Sequence, residues 1–138
     1  MEMSERGSIN DLAHYRIETA KSDLKSANIL LKEGEYRGAN NRAYYAIYHA
    51  ISAVHALDEK SYKRHKDTLA NFNRDYVRTE IFPKAFGRKI AQAEEIRHAS
   101  DYDDFYIATK EKAEEQIMTA KELIEQIESY CTNRLSET

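Results

Sequence analysis

The feature that most constrains this chain is an apolar step of three and four residues that recurs along nearly its whole length with few breakers in it. Ala39, Ala43, Ala46, Ala50, Val54 and Leu57 keep the step through one stretch, and Ala113, Ile117, Ala120, Ile124, Ile127 and Cys131 keep it near the end. Only four glycines and one proline interrupt 138 residues, and 33% of the residues are charged. Long amphipathic helices have this profile, and strands are hard to find.

The expected fold is therefore all-α: an up-and-down bundle of four or five helices, forming one domain over residues 8–135 after a flexible start at 1–7. Helix one should be capped by Ser8 or Asn10, carry Leu12, Ile17, Leu24, Ala27, Leu30 and Leu31, and stop at Gly34. Helix two follows the short Gly34 to Gly38 corner. Its alanine stripe lets a neighbour approach closely, and beside it runs a polar and aromatic stripe of Arg42, Tyr45, His49 and Ser52. A third, short, basic helix is expected over Lys63 to Tyr76, with Leu69 and Phe72 inward. Pro83 opens helix four through Phe86, Ile90, Ala93 and Ile96, ending near Ala99. Ser100 to Asp104 reads as an acidic turn ahead of the last helix.

The net charge of -3 hides a segregation: residues 60–98 carry ten Lys/Arg against five Asp/Glu, and residues 99–138 carry four against ten. A basic middle in an acidic chain suits contact with phosphate, or with the acidic helix that follows it. The single cysteine, Cys131, has no partner for an internal bridge. No basic-then-apolar leader and no apolar run of bilayer-crossing length is seen, so a cytoplasmic setting without membrane is expected.

The phrase from Gly34 to Ala50, with Arg42-Ala-Tyr-Tyr-Ala and His49-Ala on helix two, resembles the HEPN family (higher eukaryotes and prokaryotes nucleotide-binding). His65 at the start of helix three and Arg97 with Asp101-Tyr102-Asp103 after helix four add to the resemblance, which spans roughly residues 10–130. It implies a HEPN-like bundle that forms a homodimer, binds RNA or nucleotide, and is one half of a toxin-antitoxin pair with a minimal nucleotidyltransferase. It also implies a metal-independent ribonuclease in many members, built on an Arg, four to six residues and a His near the start of a late helix. Here Tyr102 stands five positions after Arg97 where that His is expected. Arg42 and His49 repeat the spacing, but on helix two.

Metal-free RNA cleavage needs a base, an acid and a cation over the phosphate, which His and Arg supply. The candidate catalytic residues are Arg42, His49 and Arg97. The candidate nucleotide- or RNA-binding residues are Arg42, Tyr45, His49, His65, Arg97, Asp101 and Tyr102. Each has a plainer reading. His49 beside the alanine stripe can be a core histidine bonded to a carbonyl or carboxylate, and Arg97 can simply pair with Asp101. Arg42 and His49 lie two turns apart, about 10 Å along the axis, so one phosphate is not expected to touch both within one helix. Asp101, Asp103 and Asp104 could hold a hard cation, but acidic turns ahead of a helix need no metal, and no metal or cofactor is expected. A third function class is a non-catalytic subunit that docks a nucleotidyltransferase and offers Tyr102 or Tyr106 to it as a nucleotidyl acceptor.

Overall fold

In this computed structural model the backbone is described from Glu2 to Ser136 and the side chains from Ser8 to Arg134. Five α-helices follow in order: α1 Glu2–Lys32, α2 Tyr36–Leu57, α3 His65–Phe72, α4 Ala85–Tyr102 and α5 Lys110–Ser136. A π-helical turn, Asn73–Val77, continues α3, and no strand occurs among the described residues. Helix α1 already runs through residues 2–7, expected as a loose end, and past Ser8 and Asn10, so neither expected cap starts it; Met1 and the side chains of residues 2–7 lie outside the described residues.

Helix α1 stops where the glycine signal puts its end. Gly34 takes a left-handed backbone (φ 77°), and the amides of Gly34 and Glu35 bond back to the carbonyls of Leu31 and Leu30 at 3.1 and 2.9 Å. That pair of hydrogen bonds is the Schellman pattern, which satisfies two carbonyls the helix would otherwise leave open. The chain then reverses into α2, and Gly38 lets α2 start close against α1: a Cβ there would meet Leu30 Cδ1 at 3.2 Å.

Helix α2 is the hub of the bundle, with α1, α4, α5 and α3 all packed against it. Its alanines explain how one helix can touch four others. Ala39, Ala43, Ala46, Ala50 and Ala53 are completely buried, and Ile47, Ile51 and Tyr44 fill the space between them. Small side chains shorten the distance between axes, while Ile and Tyr supply the area whose removal from water stabilises the core. On α1 the buried stripe is Ala13, Ile17, Ala20 and Ala27; Leu12, expected in it, is 42% exposed.

Contacts between α1 and α2 fix their antiparallel order. Arg16 Nη1 donates to the Ser52 carbonyl at 3.0 Å near one end, and Leu30 meets Gly38 at the other. Helix α4 runs antiparallel to α2 as well and ends later than its sequence suggests. The Ser100-Asp101-Tyr102 stretch stays helical because α2 supplies partners for groups that would otherwise favour a turn. Asn40 Nδ2 donates to Ser100 Oγ at 3.1 Å, and Asn41 Nδ2 donates to both Asp101 oxygens at 3.2 and 2.9 Å. Arg37 then holds the exit from α4, donating to the carbonyls of Ser100 (2.7 Å), Asp103 (3.0 Å) and Tyr106.

The expected third helix is present and changes its winding. The sequence suggests a helix from Lys63 to Tyr76, and helical backbone runs unbroken from His65 to Val77, α-helical to Phe72 and π-helical from Asn73, with Tyr76 and Val77 buried. Phe72 packs on Tyr76 and on Phe82, each with ring centroids 5.4 Å apart, and Phe82 meets Tyr130 of α5 at 5.1 Å. This aromatic cluster closes the end of the bundle away from Arg37.

Candidate functional site

The polar and aromatic stripe of α2 does not stand alone, because α1 contributes a carboxylate that its own sequence hid. Asp23 lies between Ala20 and Ala27 in the buried stripe of α1, with its side chain 12% exposed. Its Oδ1 accepts from Arg42 Nη1 at 3.2 Å, and its Oδ2 lies 2.7 Å from His49 Nδ1. Arg42 and His49 therefore converge on one small oxyanion, against the expectation that a single anion is too small to meet both. The reason is side-chain reach: residues seven apart share a face, and the long Arg42 side chain spans the two-turn gap. Both stay about a third exposed, at 37% and 30% of their side chains.

A second chain of bonds joins this group to α4. Arg42 donates through Nε and Nη2 to Asn41 Oδ1 at 3.2 and 2.9 Å, and Asn41 in turn grips Asp101. Arg97 approaches Asp101 at only 3.5 Å, a long contact, so the sequence-based pair exists but Asn41 is the stronger partner of that carboxylate. The guanidinium of Arg97 lies instead over the Tyr44 ring, 4.7 Å from its centroid. Arg97 Nε and the Tyr44 hydroxyl are buried neighbours without a hydrogen bond of normal geometry between them. Burial, only partly offset by Arg97, pushes the Tyr44 phenol up to about 12, so it stays neutral.

Tyr45 and Tyr48 complete the face. Arg42 sits over the Tyr45 ring at 4.9 Å, and His49 contacts the rings of Tyr45 and Tyr48 at 6.2 and 5.5 Å. His65, from the start of α3, packs on Tyr48 at 4.2 Å and meets Tyr45 edge-on at 5.7 Å. Two imidazoles thus share one aromatic platform. Burial, followed by the nearby charges of Arg97 and His49, holds His65 below the ordinary histidine range. It is therefore a neutral ring near pH 7.

Six of the seven residues expected to bind, namely Arg42, Tyr45, His49, His65, Arg97 and Asp101, fall in this one connected group. Tyr102 does not join it: the ring is 67% exposed and packs on His98, with centroids 4.9 Å apart. Asp23 and Asn41 belong to the group and are not singled out by the sequence, whereas Tyr44 and Tyr48, which the sequence offers as rings for stacking or for packing, join it with Tyr44 buried and Tyr48 partly buried. Asp23 leaves one trace there, a charge at an apolar-stripe position. Two acidic residues at the end of α4 have structural duties: Asp101, in its last turn, is held by Asn41, and Asp103, just past it, accepts at Oδ1 from the Phe105 amide at 3.0 Å. Among the described residues no group of three His, Cys, Asp or Glu is placed to hold a metal ion, and no helix is long and apolar enough to cross a membrane.

Chemically, the face offers guanidinium groups for an oxyanion, flat rings for stacking, and two imidazoles for proton transfer. The HEPN domain family model matches residues 13–130. A "UPF0332 protein" of Thermotoga maritima is 30% identical, with 85% of this chain and 89% of that protein aligned. A Methanocaldococcus jannaschii protein named "Putative toxin MJ0605" is 32% identical, with 80% and 82% aligned. The crystal structure of TT1696 from Thermus thermophilus superposes with a TM-score of 0.72 over 85% of this chain and 96% of that one; at 21% identity it speaks for the fold alone. Matched by the family model over most of its length, this chain belongs to the HEPN domain family.

Proposed function

We propose that this protein is a toxin-type HEPN component that binds single-stranded RNA by its phosphates on the α2 face. The observation that carries this reading is the convergence of Arg42 and His49 on one oxyanion beside Tyr45, Tyr48 and His65. Such a face meets both needs of single-strand recognition, a cationic grip on the backbone and aromatic surfaces for bases. Relatives whose printed names include "toxin" support the toxin-type part of the reading. A homodimer and a nucleotidyltransferase partner complete the proposal, as the family resemblance implies.

The test is fluorescence anisotropy with a labelled single-stranded RNA. Wild type should bind with a clear salt dependence, while Arg42→Ala and His65→Ala each weaken binding about ten-fold. Equal affinities in all three proteins would remove the reading.

A second reading, metal-independent RNA cleavage, is favoured by the two imidazoles on one platform, His65 neutral and His49 held at Nδ1 by Asp23. His65 would take the 2′-hydroxyl proton, His49 would protonate the leaving oxygen, and an arginine would steady the charged phosphate. Incubation of total RNA in EDTA decides it: fragments from wild type, absent with His65→Ala and His49→Ala, support cleavage, and intact RNA leaves binding alone.

A further inference from the structure

Asp23 is a carboxylate where a phosphate-binding face should have none. It reaches Arg42 and His49 from beneath, out of the α1–α2 interface, with its side chain 12% exposed while theirs are 37% and 30% exposed. Its two oxygens accept from a guanidinium and an imidazole, the donor pair that suits two oxygens of a phosphodiester equally well. We infer that Asp23 is an internal stand-in for phosphate, occupying the Arg42–His49 subsite in the free protein and giving way to a phosphodiester of the incoming strand. This rests on the RNA-binding reading above and narrows it to one subsite.

Three features allow the exchange. Arg42 does not depend on Asp23 for its position, because Asn41 Oδ1 holds it at 2.9 and 3.2 Å and the Tyr45 ring lies under it. His49 is likewise braced by the rings of Tyr45 and Tyr48. Both donors remain partly open to solvent, at 37% and 30% of their side chains, so a ligand can reach them. The receptor is thus built before the ligand comes, and its affinity is set by competition between one fixed carboxylate and the phosphate. The negative charge also discriminates: a weakly charged anion cannot displace a tethered carboxylate, whereas a strand with several phosphates gains contacts elsewhere on the face.

The test measures binding of a labelled single-stranded RNA by anisotropy, at one pH and salt concentration, for wild type, Asp23→Asn, Arg42→Ala and the double variant Asp23→Asn/Arg42→Ala. Asp23→Asn removes the competitor and keeps the shape, so it should bind about ten-fold more tightly, and the double variant should lose that gain. On wild type, the side-chain carboxyl carbon resonance of Asp23 should shift as RNA saturates the protein, a readout that does not require a folded variant. Unchanged or weaker binding by Asp23→Asn, or an unmoved Asp23 resonance at saturation, overturns the inference while leaving RNA binding intact. Failure of wild type to bind, or indifference to Arg42→Ala, overturns the RNA-binding reading itself and the inference with it.

Discussion

Two aspartates in this molecule do the same thing with opposite results. Asp23 joins an arginine and a ring donor, Arg42 and His49; Asp58, just past the end of α2, joins Arg134 at 2.9 Å and the Tyr76 hydroxyl. Both clusters use their arginine again, Arg42 on Asn41 and Tyr45 and Arg134 on Tyr130, and they part at the second donor. Arg134 also donates to Tyr130 Oη at 3.0 Å and lies over that ring, while Tyr76 is 3% exposed and stacked on Phe72. Burial works against a charged Asp58, yet the bonds from Tyr76 and Arg134 win and hold its carboxyl below the usual range. Burial and Asp58 together raise the Tyr76 phenol well above its ordinary value. The Asp58 cluster is a knot that ties α2, the π-helical turn and α5. The two arginines are alike in exposure, Arg42 at 37% and Arg134 at 35%, so the clusters differ in the second donor, a His49 that is 30% exposed against the buried Tyr76. What separates the two ends of α2 is the second donor: the His49 ring stays partly open beside Tyr45 and Tyr48, where Tyr76 is enclosed.

Several substitutions would break or sharpen this contrast. The largest effect should come from Asp58→Ala, which leaves Arg134 and Tyr76 without their shared acceptor. A fully buried pair costs about 3–5 kcal/mol when one partner is removed. Discounted for the partial exposure of this one, the loss should be about 2 kcal/mol, visible as a drop of several degrees in Tm, with RNA affinity unchanged. Arg42→Ala should show the reverse pattern: about ten-fold weaker RNA binding, which is ~1.4 kcal/mol, with less than about 1 kcal/mol of stability lost.

Acid titration probes the Asp58 end of α2. His55 is buried at 1% exposure, and burial holds it below the ordinary histidine range, so the unfolded chain binds its proton first and stability should begin to fall as pH drops below about 6.5. Asp58 and Asp75 are held low, Asp75 at about 2 by its bond from Arg74, so their contribution is complete above about pH 4 and is lost from there toward pH 2. In Asp58→Asn the lower part of that loss should shrink when unfolding midpoints are followed against pH. The smallest effect belongs to Tyr102→Phe. With the ring 67% exposed, neither stability nor RNA binding should change. If the exposed phenol accepts a nucleotidyl group from a partner enzyme with ATP, the mass shift should vanish in this variant; equal shifts in both proteins would remove Tyr102 as the acceptor.

The helices are legible in the sequence because a period of 3.6 is a local property, and α2, α5 and the Gly34 stop can be read from spacing alone. What sequence reasoning misses is non-local. Ser100 to Tyr102 looks like a turn because its polar side chains compete with the helix backbone, and only Asn40, Asn41 and Arg37 on α2 remove that competition. The π-helical turn that ends the third helix buries Tyr76 and Val77 beside a cluster of Phe72, Phe82 and Tyr130, an arrangement that local spacing does not show. The stripe of Arg42, Tyr45 and His49 is visible on one helix, but its link to Arg97 and Asp101 requires the antiparallel packing of α4. Asp23 is the hardest to see. A single acid in an apolar stripe says that a cation must come to it, and does not say from which helix.

The central claim, that the open end of α2 is the RNA-binding face and the knotted end is not, is tested most directly by mapping amide and histidine ring shifts while single-stranded RNA is titrated into the labelled protein. The account predicts that shifts concentrate at Asp23, Arg42, His49, His65 and Arg97 and leave Asp58, Tyr76 and Arg134 unmoved. Shifts centred on the Asp58 cluster, or a spectrum unchanged at saturating RNA, would contradict it.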